Sequence, residues 1–454
     1  MWNQERILLA SPEALAEVLV SKNYDFEKPS FFRTELGRLL GVGLLLAEGD
    51  EHKRQRRNLL PAFAFRHVKD LYPTFWGKAR EGVQAVTEHL RAKQRSGNDK
   101  EEGVIEVSAW FLRMTLDIIG IAGLGRDFGA IKDPDNEMSQ AYRKMFKSSR
   151  EAQFFHLMSL FLPPWFINLL PLKNNENIEQ ATHHIRATCA DLIHDKKEKL
   201  ARSEHAGIDI LSVALESGGF TDEGLVDQMM TFLAAGHETT ASAMHWAVYL
   251  LAKHKDIQER LRAEVRAHLP SIEETTAISS VDIDRLPYLN AVCNEVLRYY
   301  SPVALTMRQA ARDTTIRGVH VPKGTRIVLC PWSVNRSEDM WGPGAKRFDP
   351  ERWMTTSAGA DGDKKKKGGG GSTGSGGAKN NYAFMTFLHG PRSCIGQSFA
   401  RAEFACLVAA WVGRFSFELQ NEEDLDEDKL EVTGSLSAKI RSGLYVKVRP
   451  VEGW

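Results

Sequence analysis

The sequence predicts a mainly helical fold with a small β region. Two observations carry that expectation. Long stretches place apolar residues at helical spacing, and the few alternating stretches fall mostly late in the chain. No internal repeat is visible.

Composition sets the outer limits. The chain has 454 residues, with 59 basic and 59 acidic side chains and a formal net charge of zero. The balance excludes the basic excess expected of a nucleic-acid binder. A hydrophobic content of 43% excludes a disordered chain. A core can form at this length without disulfides. The five cysteines, Cys189, Cys293, Cys330, Cys394 and Cys406, are odd in number and match no zinc spacing. They suit a reducing compartment, in which one cysteine acts alone or none acts.

The elements follow in order. Residues 7–10 read as a short strand and 11–22 as a helix, with Ser11 as N-cap and Pro12 at the first helical position. Basic helices begin at about 51 and again over 68–94, and 104–125 reads as an apolar helix. No stretch of about 20 apolar residues is present. The nearest, 154–172, is interrupted by Pro163, Pro164 and Pro171. It suits a segment dipping into a membrane interface, and equally a buried loop with short helices. Residues 178–200 form an amphipathic helix whose end carries Lys196, Lys197 and Lys199, favourable at a helix C-terminus. The longest periodic stretch is 221–251, opened by Thr221. A helix over 287–300 stops before Ser301-Pro302. Residues 315–329 alternate like a hairpin turning at Val321-Pro322-Lys323-Gly324. The Gly/Lys-rich stretch 358–380 cannot pack a core and is expected to be a flexible insertion. An apolar helix over 400–413 and strands over 415–419 and 444–448 close the chain.

The most informative segment runs from Phe387 to Gly396, Phe-Leu-His-Gly-Pro-Arg-Ser-Cys-Ile-Gly. Gly390 permits a tight turn with positive φ. Gly396 leaves no side chain beside the sulfur of Cys394, so a flat group can approach. The N–H groups of the following helix and the charge of Arg392 both favour a thiolate. The alternative is a buried free cysteine in a turn. In the long helix stands Ala235-Gly236-His237-Glu238-Thr239-Thr240. Its glycine costs about 1 kcal/mol relative to alanine, and Thr239 can bond back to the Ala235 carbonyl and bend the helix. Glu295 and Arg298 share a helix face.

The cysteine segment matches F-x-x-G-x-R-x-C-x-G at every specified position and so resembles the cytochrome P450 family of haem-thiolate enzymes. The match implies the cytochrome P450 fold as a single domain over 1–454, with haem b between the long helix and the cysteine loop. It implies that Cys394 is the axial ligand of the iron. Phe387 would pack near the sulfur, Gly396 would lie beside the ring, and Arg392 would pair with a propionate. The segment 235–240 resembles the family's oxygen groove, which implies that Thr239 serves the oxygen site and Glu238 relays protons to it. Phe348-Asp349-Pro350-Glu351-Arg352-Trp353 resembles a further family segment, with Trp353 where phenylalanine is commoner. It implies a buried charge network of Glu295, Arg298 and Arg352. His52 and Arg56, one helical turn apart, and Arg308 match family propionate positions. The other face of the first basic helix, with Lys53, Arg54 and Arg57, reads as a solvated face or as a docking site for an acidic reductase.

These motifs imply a monooxygenase that inserts one atom of O2 into an apolar or amphipathic small molecule, in secondary, lipid or xenobiotic metabolism. Electrons are expected from a separate NADPH–cytochrome P450 reductase, because no reductase segment is visible. Substrate contacts are expected from 26–46, 154–172, 230–235, 303–307 and 434–438. Fungal-type members sit on the endoplasmic reticulum membrane. Here the anchor, hinge and first helix and strand of such members have no counterpart, so the chain is expected to be N-terminally truncated, and monomeric. The competing readings are an oxygen-independent haem-thiolate isomerase or dehydratase and a haem-binding protein without catalysis.

Overall fold

Ser11 accepts a hydrogen bond from the Ala14 N–H and so opens α1 (Pro12–Ala16), just after strand β1 (Arg6–Leu9). The computed structural model describes residues 5–95, 103–146, 173–202, 209–354, 375–434 and 436–454. The segment 154–172, Lys364–Lys367 and most of the Gly/Lys-rich stretch lie outside the described residues.

After α1 the backbone widens into a π-turn over Glu17–Ser21, then reaches β2 (Phe26–Glu27). Two basic helices follow, α2 (Gly49–Leu59) and α3 (Tyr72–Arg95). The expected helix over 104–125 is divided. Its first residues form strand β3 (Val104–Glu106), and the helix proper is α4 (Val107–Ile119). The reason is twofold. β3 supplies an antiparallel partner for a late strand, and the Glu106 carboxylate caps α4 by accepting from the Ser108 and Ala109 N–H groups. A π-turn over Gly120–Leu124 ends the segment at Gly125, φ +72°.

Next come α5 (Lys173–Ala201) and the long α6 (Asp222–Lys253), whose first turn is capped by Thr221. α6 is apolar on nearly every side, as a helix through the middle of a large core must be. It packs against α4, α5 and α7 (Pro287–Tyr299), and against α8 (Gln397–Arg414). α8 packs in turn on α3, with Trp76, Phe111 and Trp411 fully enclosed.

The β region falls into separate pieces. β4 (Thr306–Ala310) and β7 (Arg326–Leu329) join β1 and β2 in one sheet of order β1-β7-β4-β2. Between them, β5 (Thr314–Ile316) and β6 (Val319–Val321) make a small hairpin. Its turn is at Arg317-Gly318, both with positive φ, not at 321–324 as the alternation suggested. The Pro322–Gly324 bend instead carries the chain into β7, which pairs with β1 and β4. β8 (Phe415–Leu419) follows α8 directly. β9 (Val432–Thr433) pairs with β10 (Lys439–Ile440), and β11 (Tyr445–Pro450) lies between β3 and β8.

Among the described residues one helical stretch, Val107–Leu124, is long and apolar enough to cross a membrane, and 78% of it is buried inside the fold.

Candidate active site

The loop that ends at α8 is shaped by tight local contacts. At Gly390, φ is +75°, and a Cβ would collide with the Leu19 carbonyl. Leu388 also has positive φ. The Cys394 N–H donates to the Phe387 carbonyl at 2.9 Å, closing the loop. Cys394 has accessible surface, but that surface opens onto an internal cleft. Surrounding atoms are dense enough that burial pushes its thiol up, against the pull of the Gly396 N–H and the Arg56 charge.

Arg56 reaches the loop directly, donating to the Ser393 carbonyl at 2.8 Å and to its hydroxyl at 3.3 Å. Here the structure revises an expectation. The fixed charge that bears on the sulfur is that of Arg56, whereas Arg392 is turned toward Glu48 and stacks over the Tyr24 ring.

α6 forms the opposite wall. Two adjoining cavities of about 260 Å³ and 190 Å³ share Thr239, Thr240, Cys394 and Arg392 among their walls. Phe387, Leu297 and Val303 line the larger. Ile119, Phe232 and Gly396 line the smaller. Of the segments expected to meet substrate, 26–46, 230–235 and 303–307 supply wall residues. Among the described residues of 434–438 none does.

Thr239 donates its hydroxyl proton to the Ala235 carbonyl at 2.8 Å, the predicted back-bond. The helix stays α-helical through it. Glu238 points elsewhere. It accepts from Lys439 Nζ at 2.8 Å and Ser437 Oγ at 3.2 Å, and it lines a separate cavity with Tyr142 and His237. Burial works against its charge, but Lys439, His237 and these hydrogen bonds outweigh burial and hold the carboxyl below its ordinary range. The predicted pair is therefore adjacent in sequence and divided in space. Ser437, expected near substrate, serves Glu238 instead.

At one end of the cleft basic side chains converge. His52, Arg308 and Arg392 are buried, and Lys28 has a side chain only 10% exposed. Burial, with Arg308 and Arg392 nearby, brings Lys28 down to about 7, although Glu48 resists. His52 falls to about 4 through burial and the charges of Arg392 and Lys28. Arg308 is lowered to about 10 by burial and Arg392. Glu48 is the acid that answers them, yet among the described residues Arg392 Nε and Nη2 have no hydrogen-bond partner. Buried cations in excess over anions call for a bound dianion. A cysteine sulfur facing an apolar cleft, with that cation cluster beside it, fits the thiolate ligand, the flat ring and the two propionates of haem b.

Sequence reading missed Lys28, Glu48 and Tyr24, whose hydroxyl lies 3.3 Å from His52 Nδ1. Lys28 lies in a segment read only for its apolar residues. The outer face of α2 is less free than its sequence suggested. Lys53 pairs with Asp50 at 2.8 Å and Arg54 with Glu51 at 2.7 Å.

Behind the cleft, Glu295 is fully buried. It accepts from Arg298 at 2.7 and 2.8 Å, the pair that their spacing on one helix face suggests, and from Arg352 Nε at 3.0 Å, the member that the family resemblance implied. Arg298 also donates to the carbonyls of Asn335, Ala345 and Arg347, tying two loops to α7.

Comparison with known proteins identifies the family. The chain is 47% identical to a cytochrome P450 monooxygenase (sphH) of Aspergillus fumigatus, over all of this chain and 80% of that one. It is 44% identical to a cytochrome P450 monooxygenase (ALT8) of Alternaria alternata, covering 99% and 82%. A solved structure, the cytochrome P450DA heme domain, shares the fold with a TM-score of 0.75 at 22% identity, covering 99% of this chain and 88% of that one. The family model for cytochrome P450 matches residues 1–444. The chain thus belongs to the cytochrome P450 family, a haem-dependent oxidoreductase of the monooxygenase kind.

Proposed function

We propose that the Cys394 thiolate would hold the iron of haem b and that the protein oxygenates a small apolar or amphipathic organic molecule. The observation that supports this most is Cys394 facing Thr239 across one cleft, with the cation cluster at its end. Haem bound there supplies the iron that activates O2, and a thiolate ligand favours O–O cleavage.

The chain's own residues do the rest. His52, Arg308, Arg392 and Lys28 offer donors to the propionates, while Arg56 steadies the cysteine loop. Phe387, Leu297 and Val303 exclude water and favour an apolar guest. Thr239 commits its proton to Ala235 and so presents lone pairs to the oxygen site. Glu238 holds its charge against Lys439 and can deliver a proton only after that pair opens.

Electron supply by a separate NADPH-dependent reductase, and residence at the endoplasmic reticulum membrane, belong to the same proposal. Arg57, exposed on α2 and without an ion pair among the described residues, is the charge on that face best placed to meet an acidic reductase.

The test is spectroscopic. The reduced protein with carbon monoxide should show the strongly red-shifted Soret band of a thiolate ligand, and Cys394→Ser should abolish it. A normal band in that variant would move the ligand elsewhere. Substrate turnover should stop without reductant and O2. Undiminished turnover would favour an isomerase or dehydratase.

A further inference from the structure

Glu403 sits in the middle of α8, 1% exposed, and neither of its carboxyl oxygens makes a hydrogen bond among the described residues. It has no ion pair there and no part in the reaction outlined above. The groups that face it are few. From α6 the Thr240 hydroxyl lies near enough to favour its charged form, though less than burial opposes it. From its own helix comes Cys406, with Cys293 of α7 beyond. Arg401 faces Cys293 rather than Glu403. With no cation to hold its charge, burial pushes the carboxyl up to about 8. At neutral pH it keeps its proton and is a hydrogen-bond donor.

Thr240 is placed at the active site. It lines both cavities beside Thr239. The proton of Thr239 is spent on Ala235, and Glu238 is turned away to Lys439. On this turn of α6, only the Thr240 hydroxyl hydrogen is uncommitted among the described residues.

We propose that Glu403 is a positioning residue: its protonated carboxyl donates to Thr240 Oγ1, which turns the Thr240 hydrogen into the cleft as a hydrogen-bond donor facing the oxygen site. The assignment rests on the haem-thiolate reading. It makes the donor a switch. Once Glu403 ionises it becomes an acceptor, draws the Thr240 hydrogen to itself, and leaves the oxygen site facing lone pairs alone.

The probe is carbon monoxide on the reduced holoenzyme, read by infrared spectroscopy from pH 6 to 10. A donor facing the bound ligand lowers its C–O stretch. The wild type should show a low-frequency component that gives way to a higher one with a midpoint near pH 8, in step with loss of a protonated-carboxyl band. Glu403→Gln keeps a donor that cannot ionise, so the low component should persist at every pH and the carboxyl band should be missing. Thr240→Val should show the high component throughout. Lys28, lining the same cleft, also titrates near neutrality, so survival of the transition in Glu403→Gln would assign it to another group and overturn the proposal. A pH-independent stretch in the wild type would overturn it as well. Loss of the red-shifted Soret band in the wild type would instead sink the haem-thiolate reading itself, so the two failures are distinct. Cys293 and Cys406 are pushed above the range scanned and do not interfere.

Discussion

The indole N–H of Trp353 donates to Glu295 Oε2 at 2.9 Å. The residue that departs from the commoner family pattern thus joins the charge network rather than merely filling its space. With Arg298, Arg352 and the Asp349 N–H, it surrounds a fully buried carboxylate with donors. A buried charge so completely hydrogen-bonded is stable where an unpaired one is not.

Trp353→Phe removes one charge-assisted hydrogen bond while keeping most of the ring. Denaturant unfolding should show a loss of about 1.5–3 kcal/mol. The carbon monoxide spectrum should keep its thiolate band. A loss below the error of the measurement would mean that the arginines satisfy Glu295 unaided.

Glu295→Gln leaves two guanidinium groups without their carboxylate. Breaking a buried pair in this way costs about 3–5 kcal/mol. Arg298 also holds three loop carbonyls, so the damage should spread, and the purified variant should carry far less haem per chain. Haem content equal to wild type would show the network to be dispensable for cofactor retention.

The cation cluster predicts a pH dependence with a definite sign. In haem-free protein Lys28 is depressed to about 7, so between there and its unfolded value the unfolded chain binds more protons. Stability of the apoprotein should therefore rise with pH across that window. Haem affinity should move the opposite way, falling as pH climbs through 7, because the propionates pair with protonated Lys28. Haem transfer to apomyoglobin measures it, and Lys28→Met should flatten the curve.

Thr239→Ala removes the lone pairs presented to the oxygen site. Reductant consumption should continue while product per electron falls and hydrogen peroxide rises. Unchanged coupling would take Thr239 out of the reaction.

Much of this was legible in the sequence, and for reasons that can be named. The cysteine loop and the Glu295–Arg298 pair are local, so their geometry follows from short spacings. The long helix announces itself by period and cap. Other features depend on partners far along the chain. Val104–Glu106 is a strand because Tyr445–Lys447 lies beside it. The role of Lys28 requires Arg308 and Arg392 to arrive from elsewhere. Glu403 stands inside a stretch whose composition reads as an apolar helix, where nothing local distinguishes a buried acid from a solvated one. The family resemblance pairs Glu238 with Thr239 at the oxygen site, but neighbours on a helix point about 100° apart, and Lys439 takes the acid to the other side.

The close approach of Leu19 to Gly390 carries a consequence for biosynthesis. β1 pairs with β7, whose residues leave the ribosome more than 300 positions later, and the cysteine loop that rests on Leu19 emerges later still. At ~5–20 residues per second the first strand waits roughly 15–60 s for its partner. For that interval the start of the chain must be shielded from strangers. The pocket around the sulfur, walled by α2, α6 and the cysteine loop, stays open until that loop has emerged, so the cofactor can be captured only late in synthesis or after it.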